Sequence, residues 1–82
     1  MYQVLLVENE ERTREQASSY PLWKHGFYRL AGVAVNGKDA LEKMAVNRYD
    51  IVIADVTMPV MGGLELCRQI RDGGYSSCVI LA

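Results

Sequence analysis

Near its centre the chain reads Ile51-Val52-Ile53-Ala54-Asp55, a continuous apolar run that ends in a carboxylate. An unbroken β-branched run without polar alternation is typical of a parallel strand that is buried on both faces. The next loop contains Thr57-Met58-Pro59 and Gly62-Gly63. The stretch therefore predicts a buried strand over 51–54 that delivers Asp55 at its carboxyl end.

Similar apolar runs lie on either side of this strand. They cover Tyr2–Val7, Tyr28–Ala34 and Cys78–Ala82, and the last is predicted to be buried as well. Helices are predicted between the runs, over Arg12–Tyr20, Asp39–Asn47 and Leu64–Arg71. Strands that alternate with helices of about ten residues form βαβ units. We therefore expect an α/β fold with a parallel sheet and helices on both faces.

The third predicted helix places Leu64, Cys67 and Ile70 on its inward face. Cys67 and Cys78 are the only cysteines. Because they lie in unrelated contexts, with no leader sequence and no zinc-ligand spacing, we expect buried thiols and no disulfide.

Composition limits the classes of protein to which the chain can belong. It has 82 residues, a formal net charge of −1 and a hydrophobic share of 50%, which predicts one globular domain over residues 1–82. No basic stripe supports direct nucleic-acid binding by this segment. No apolar run reaches the ~20 residues of a membrane span. Met1 leads directly into the first strand, so we expect a cytoplasmic protein.

Acidic and amide side chains follow two of the predicted strands. Glu8-Asn9-Glu10 comes after the first, and Asp55 after the third. In an open parallel sheet, ligands bind beyond the carboxyl ends of the strands. Converging oxygens there would suit Mg²⁺, and a carboxylate can attack phosphorus to give an aspartyl phosphate. Taken singly, either group could simply cap a turn or favour a helix N-terminus.

Arg12 and Arg14 are interpreted as part of a solvated helix face.

These motifs resemble bacterial response-regulator receiver domains. The resemblance lies in Val4–Glu10, Asn36–Leu41, and Tyr49–Pro59 followed by Met61, Gly63, Leu64 and Glu65. The residues Trp23, Gly26 and Phe27 further resemble the subgroup that carries AraC-type DNA-binding output domains.

The resemblance implies a flavodoxin-like receiver fold with strand order 2-1-3-4. The chain would be the first two-thirds of that pattern, with the fifth strand and last helices missing. Asp55 would be phosphorylated by a sensor histidine kinase. Mg²⁺ would be held by Asn9, Asp55 and the backbone carbonyl of Thr57, with Glu8 acting through water. The domain would be a signalling phosphoacceptor that controls a covalently linked DNA-binding domain, and not an enzyme.

Asn9 departs from the family pattern, which has aspartate at this position. An amide oxygen can ligate Mg²⁺ but brings no negative charge, so we expect weaker metal binding and slower phosphorylation. A phosphorylation-independent module for protein contacts therefore stays open as an alternative. A haloacid-dehalogenase-type phosphotransferase is set aside, because Thr57 stands where that family has a second aspartate.

The absence of the fifth strand and the last helices leads to one further expectation. Without them the fourth strand becomes an edge and apolar surface stays open on both faces of the sheet, so a dimer or a swapped assembly is expected.

Overall fold

A single parallel sheet organises the chain. The computed structural model describes residues 1–82, and its strands are β1 (Tyr2–Val7), β2 (Tyr28–Ala34), β3 (Ile51–Ala54) and β4 (Cys78–Leu81). They are hydrogen-bonded in the order β2-β1-β3-β4, with every pair parallel. The predicted strand order is therefore confirmed, and the first three strands have the predicted bounds.

Three α-helices connect the strands, namely α1 (Glu11–Ser18), α2 (Gly37–Val46) and α3 (Gly63–Asp72). A short 3₁₀ helix, Pro21–Lys24, lies between α1 and β2. The main core lies between one face of the sheet and the helices α2 and α3. Its members include Leu5, Val7, Val52, Ala54, Ala40, Met44, Leu66 and Ile70.

The predicted inward face of α3 is partly wrong. Leu66 and Ile70 are fully buried, whereas Leu64 is 65% exposed and Cys67 is half-buried. Residues four apart lie on the same side of a helix, so the core-facing stripe follows Leu66 and Ile70. Leu64 lies outside that stripe.

The fourth strand is less buried than its apolar sequence predicts. It is an edge strand, and its side chains alternate between exposed (Cys78 and Ile80) and half-buried (Val79 and Leu81). The prediction of two buried thiols is therefore wrong, because Cys78 is exposed and Cys67 half-buried; both are free.

The first helix ends earlier than predicted. It stops at Ser18, where the Ser18 hydroxyl donates to the Arg14 carbonyl at 2.7 Å and the Ser19 hydroxyl donates to the Gln16 carbonyl at 2.9 Å. Such local hydroxyl bonds compete with the helical ladder. Pro21 then starts the 3₁₀ helix, and Trp23 Nε1 donates to the Ala17 carbonyl at 2.7 Å.

The two faces of the sheet differ in how well they are covered. On the face opposite α2 and α3, an entirely apolar cavity of about 330 Å³ is lined by Val4, Leu22, Trp23, Tyr28, Ile51, Ile53 and Ile80. Ile80 is 48% exposed there, so the predicted open surface is present on this face. On the other face Val79 and Leu81 pack against the core, which largely closes it.

Candidate functional site

The central strands β1 and β3 end at the same level, which sets the geometry of the site. Val7 and Ala54 are the last paired residues of the two strands, and the Asp55 N–H donates to the Val7 carbonyl at 3.2 Å. Glu8 and Asp55 come directly after these partners. Because neighbouring strands lie about 4.8 Å apart, the two residues leave the sheet side by side.

Glu8 and Asp55 share one cavity at this edge. The cavity measures about 170 Å³ and is also lined by Leu6, Ile53 and Ala82. Both acidic residues are half-buried. Side chains alternate between the faces of a strand, so Glu8 lies on the same face as Leu6, and Asp55 on the same face as Ile53. The structure thus brings together these two of the predicted site residues, and two carboxylates in one cavity repel each other unless a cation lies nearby.

The other two predicted site residues are placed differently. Asn9 and Thr57 are both exposed, and neither lines the cavity that Glu8 and Asp55 share. Each follows its strand-end carboxylate by one or two residues and so lies in the loop above the sheet edge. Their predicted roles as metal ligands stay predictions.

The Glu8 side chain also organises its own loop. Its Oε2 accepts from the Glu10 N–H at 3.2 Å, and Glu10 is the residue at which α1 is capped. The Glu8 N–H in turn donates to the Ala34 carbonyl at 2.9 Å. One carboxylate oxygen of Glu8 is therefore bonded within the loop, while no protein group bonds the other.

Arg14 is a site residue that sequence reasoning missed. It is half-buried, and its Nη1 donates to the Glu8 carbonyl at 3.0 Å and to the Asn9 carbonyl at 3.2 Å. The interpretation of Arg14 as part of a solvated face is therefore wrong. Loop carbonyls need donors, and a long cationic side chain one turn into the following helix is the signal that could have indicated this contact.

The loop after Asp55 is fixed through its backbone. The Val56 N–H donates to the Ala82 carbonyl at 3.1 Å, and the Gly63 N–H donates to the Val56 carbonyl at 3.0 Å. A side chain on Gly63 would place its Cβ 2.5 Å from the Asp55 carbonyl oxygen. Only glycine lets α3 begin this close to the backbone that carries Asp55.

The same loop contains a strained turn. Val60 has a φ of 70°, and the Met61 N–H donates to the Pro59 carbonyl at 2.8 Å, which together define a γ-turn. A positive φ is unfavourable for a β-branched residue. The Met61 carbonyl accepts from the Gly37 N–H at 3.0 Å, so the turn is anchored to the first residue of α2.

The oxygen atoms at this edge fit a hard divalent cation. The cavity offers the two carboxylates of Glu8 and Asp55, and nowhere in the chain do three His, Cys, Asp or Glu side chains cluster. A metal at this edge would complete its coordination shell with neutral oxygens. Such a shell suits Mg²⁺, which usually binds one or two carboxylates and keeps several water ligands.

The geometry defines a doubly wound α/β domain with an acidic cavity at the carboxyl ends of its central strands. The family model for the response regulator receiver domain matches residues 4–82. The chain therefore belongs to the response-regulator receiver-domain family.

Two curated relatives illustrate the similarity. Response regulator ArlR of Staphylococcus saprophyticus is 32% identical over 81 residues, which cover 99% of this chain and 36% of the relative. A protein-glutamate methylesterase/protein-glutamine glutaminase of Geobacillus kaustophilus is 44% identical over 70 residues, which cover 84% of this chain and 20% of the relative. The chain thus spans only a minor part of each relative.

A solved structure shows the same fold. The response regulator protein TrrA of Thermotoga maritima, crystallised in complex with Mg(2+)-BeF, is 35% identical with a TM-score of 0.83. The match covers 99% of this chain and 68% of that one.

None of the helices is both long enough and apolar enough to span a membrane.

Proposed function

We propose that Asp55 of this cytoplasmic protein accepts a phosphoryl group from a sensor histidine kinase, in a reaction that depends on Mg²⁺, and so switches an output domain in the full-length protein. The observation that carries this proposal is the position of Asp55. It follows the central strand β3, is half-buried, and shares its cavity with a second carboxylate. Membership of the receiver family supports the same role.

The proposed step balances as a phosphoryl transfer between two side chains. An Asp55 carboxylate oxygen forms a bond to phosphorus while the bond from phosphorus to the kinase imidazole nitrogen breaks. The imidazole leaves with the electron pair of the broken bond and takes up a proton from solvent. The Asp55 side chain makes no hydrogen bond and no ion pair within the chain, so its oxygens are free to attack.

Asn9, Asp55 and the Thr57 carbonyl would hold the metal, with Glu8 acting through water. When bound, Mg²⁺ would neutralise charge that develops on the phosphoryl oxygens. Glu8 would fix a water molecule with the oxygen that is not bonded within the loop. Thr57, exposed two residues after Asp55, would lie beside the phosphoryl group and influence its hydrolysis.

The proposed output is transcriptional and comes from a covalently linked DNA-binding domain. ArlR, which is named a response regulator, is much longer than this chain, since the match covers 36% of it. In this proposal Asp55 is a phosphoacceptor and the chain is not an enzyme. The methylesterase activity in the name of the Geobacillus relative belongs to that protein, of which the match covers 20%.

Phosphorylation by a small donor tests the proposal directly. The protein is incubated with acetyl phosphate and Mg²⁺ and then analysed by intact-mass spectrometry. We expect one phosphoryl adduct, which is lost in Asp55→Asn and when EDTA replaces Mg²⁺. Asp50→Asn is the matched control, because Asp50 precedes the same strand and should leave the adduct in place. An adduct that persists in Asp55→Asn would place the acceptor elsewhere.

Asn9 favours one alternative, a receiver-like module that acts only through protein contacts. Its amide brings no charge to the metal, and its side chain is exposed outside the shared cavity. Treatment with beryllofluoride and Mg²⁺ separates the two functions. A phosphoacceptor gains one beryllofluoride adduct at Asp55, whereas a module that works without phosphorylation gains none.

A further inference from the structure

Arg14 stands out among the charged residues around the site because it contacts the main chain and no carboxylate. Four glutamates lie within six residues of it, at positions 8, 10, 11 and 15. Nevertheless, Arg14 forms no ion pair, and its Nη1 donates to the carbonyls of Glu8 and Asn9. An arginine that served only as a surface charge would be expected to pair with a neighbouring acid.

These two contacts meet a specific need of the loop. No backbone N–H donates to the Glu8 or Asn9 carbonyl, so Arg14 is the protein donor that both share. Glu8 is half-buried, and a carbonyl that is shielded from water is costly when it lacks a donor. Because the same Arg14 nitrogen bonds both carbonyls, the backbone from which the Glu8 and Asn9 side chains extend is tied to α1.

We propose that Arg14 is a positioning residue for the cation site: by holding the carbonyls of Glu8 and Asn9, it orients the loop from which Glu8 reaches the cavity that it shares with Asp55. The inference rests on the proposed function, since it concerns the metal which that function requires. Groups that orient metal ligands from behind change metal affinity by about 10–100-fold when they are removed. The effect expected here is at the lower end of that range, because the ligands are few and partly exposed.

The sign of the effect separates positioning from simple electrostatics. Arg14 carries a positive charge, and removing a positive charge near a cation site favours cation binding by Coulomb's law. If Arg14 acts only through its charge, Arg14→Ala should bind Mg²⁺ more tightly. If Arg14 orients the loop, the same variant should bind more weakly although a repulsion has been removed.

Arg12 provides a matched control on the same helix. It lies two residues before Arg14 on α1, carries the same charge, is exposed, and makes no side-chain hydrogen bond or ion pair. Arg12→Ala therefore removes the same charge without touching the loop carbonyls. Arg14→Met is a second variant that keeps an apolar stem with high helix propensity and loses only the donors.

The experiment measures cation binding directly. Mg²⁺ is titrated by calorimetry, and free Mn²⁺ is counted by electron paramagnetic resonance, for the natural protein and the variants Arg14→Ala, Arg14→Met, Arg14→Lys and Arg12→Ala. We expect about tenfold weaker binding in Arg14→Ala and Arg14→Met, an intermediate loss in Arg14→Lys, and unchanged or tighter binding in Arg12→Ala. Amide exchange at Glu10, measured without metal, should be faster in both neutral Arg14 variants.

The possible outcomes are distinct. Weaker binding in the neutral Arg14 variants, with Arg12→Ala unchanged or tighter, supports the inference. Equal or tighter binding in Arg14→Ala and Arg14→Met overturns it and leaves the proposed function standing, because the natural protein still binds the cation. If the natural protein binds neither Mg²⁺ nor Mn²⁺, the proposed function fails and this inference fails with it.

Discussion

Two aspartates flank the strand β3, and their surroundings differ completely. Asp50, before the strand, accepts from the Gln3 N–H at 2.7 Å and lies 3.8 Å from the Arg48 guanidinium. Asp55, after the strand, has no side-chain partner and lines one cavity together with Glu8. The same residue type thus performs two tasks at the two ends of a strand of four residues.

The edge around Asp50 is built to hold the sheet together. The Asp50 N–H donates to the Gln3 carbonyl at 2.8 Å, and its carbonyl accepts from the Cys78 N–H at 2.9 Å. Ser77 Oγ donates to the Tyr49 carbonyl at 2.6 Å. These bonds join the starts of β1, β3 and β4, so their loss should reduce stability.

The edge around Asp55 is built differently, since the Asp55 carboxylate makes no hydrogen bond and no ion pair within the chain. Glu8 and Asp55 are half-buried and line one cavity, and like charges placed close together disfavour each other. Unfavourable arrangements of this kind cluster at functional sites. A hydrogen-bonded carboxylate such as Asp50 therefore has a structural role, whereas an unpaired carboxylate beside a second one, as at Asp55, indicates a functional site.

Stability measurements on matched alanine variants give the largest expected effect. Asp50→Ala leaves the Gln3 N–H without its acceptor, and the free energy of unfolding should fall by about 2 kcal/mol. Asp55→Ala removes a repulsion, so stability should stay within about 0.5 kcal/mol or rise. Urea unfolding followed by the fluorescence of Trp23, the only tryptophan, measures both. Equal losses in the two variants would contradict the comparison.

The substitution Asn9→Asp sharpens the comparison, because it adds a carboxylate to the sheet edge at which Glu8 and Asp55 lie. The additional charge should tighten Mg²⁺ binding about tenfold, because affinity for hard cations follows the charge of the ligands. It should also lower stability slightly in the absence of metal. Calorimetric titration measures the affinity, and Asn47→Asp, an exposed change at the far end of α2, controls for net charge. If both variants bind equally tightly, Asn9 is not a ligand.

The sequence was sufficient to predict most of the fold, for physical reasons that particular elements illustrate. The bounds of β3 follow from an unbroken β-branched run between two aspartates. The juxtaposition of Glu8 and Asp55 follows from parallel pairing, because neighbouring parallel strands end at one edge. The inward face of α3 did not follow, since Leu64, Leu66 and Cys67 are all apolar within one turn. Which side of α3 turns inward depends on how Gly63 packs against the Asp55 backbone.

The contact of Arg14 with the loop could not be predicted from the sequence either. Which way a loop carbonyl points depends on backbone dihedrals that residue types alone do not determine. For the same reason, the exposure of Asn9 and Thr57 could not be anticipated, although their positions next to the strand ends could. The side chains at the ends of the central strands were thus predictable. The exposure of the edge strand β4 and the orientation of side chains and carbonyls in the loops were not.

A third carboxylate, Asp39 in the first turn of α2, gives the smallest expected effect. Its Oδ2 accepts from the Val35 N–H at 3.0 Å, and Lys43 Nζ lies 3.0 Å from its Oδ1. Burial alone would raise the pKa of Asp39, but the Val35 hydrogen bond and the Lys43 ammonium outweigh it, so the pKa lies below its ordinary value of 3.8. Like Asp50, and unlike Asp55, this carboxylate is paired.

The lowered pKa gives the pH dependence a definite sign. The folded state holds the Asp39 proton less tightly than the unfolded state does, so its contribution is fully present above the unfolded pKa. That contribution is lost as the pH falls through the lower folded pKa. Asp39→Asn should therefore cost stability at pH 7, by about 0.5 kcal/mol since the pair is partly exposed. The cost should shrink below pH 4, as urea unfolding over a pH series would show. A cost that stays constant down to low pH would mean that the Asp39 charge adds nothing. The distinction between paired and unpaired carboxylates would then rest on hydrogen bonds alone.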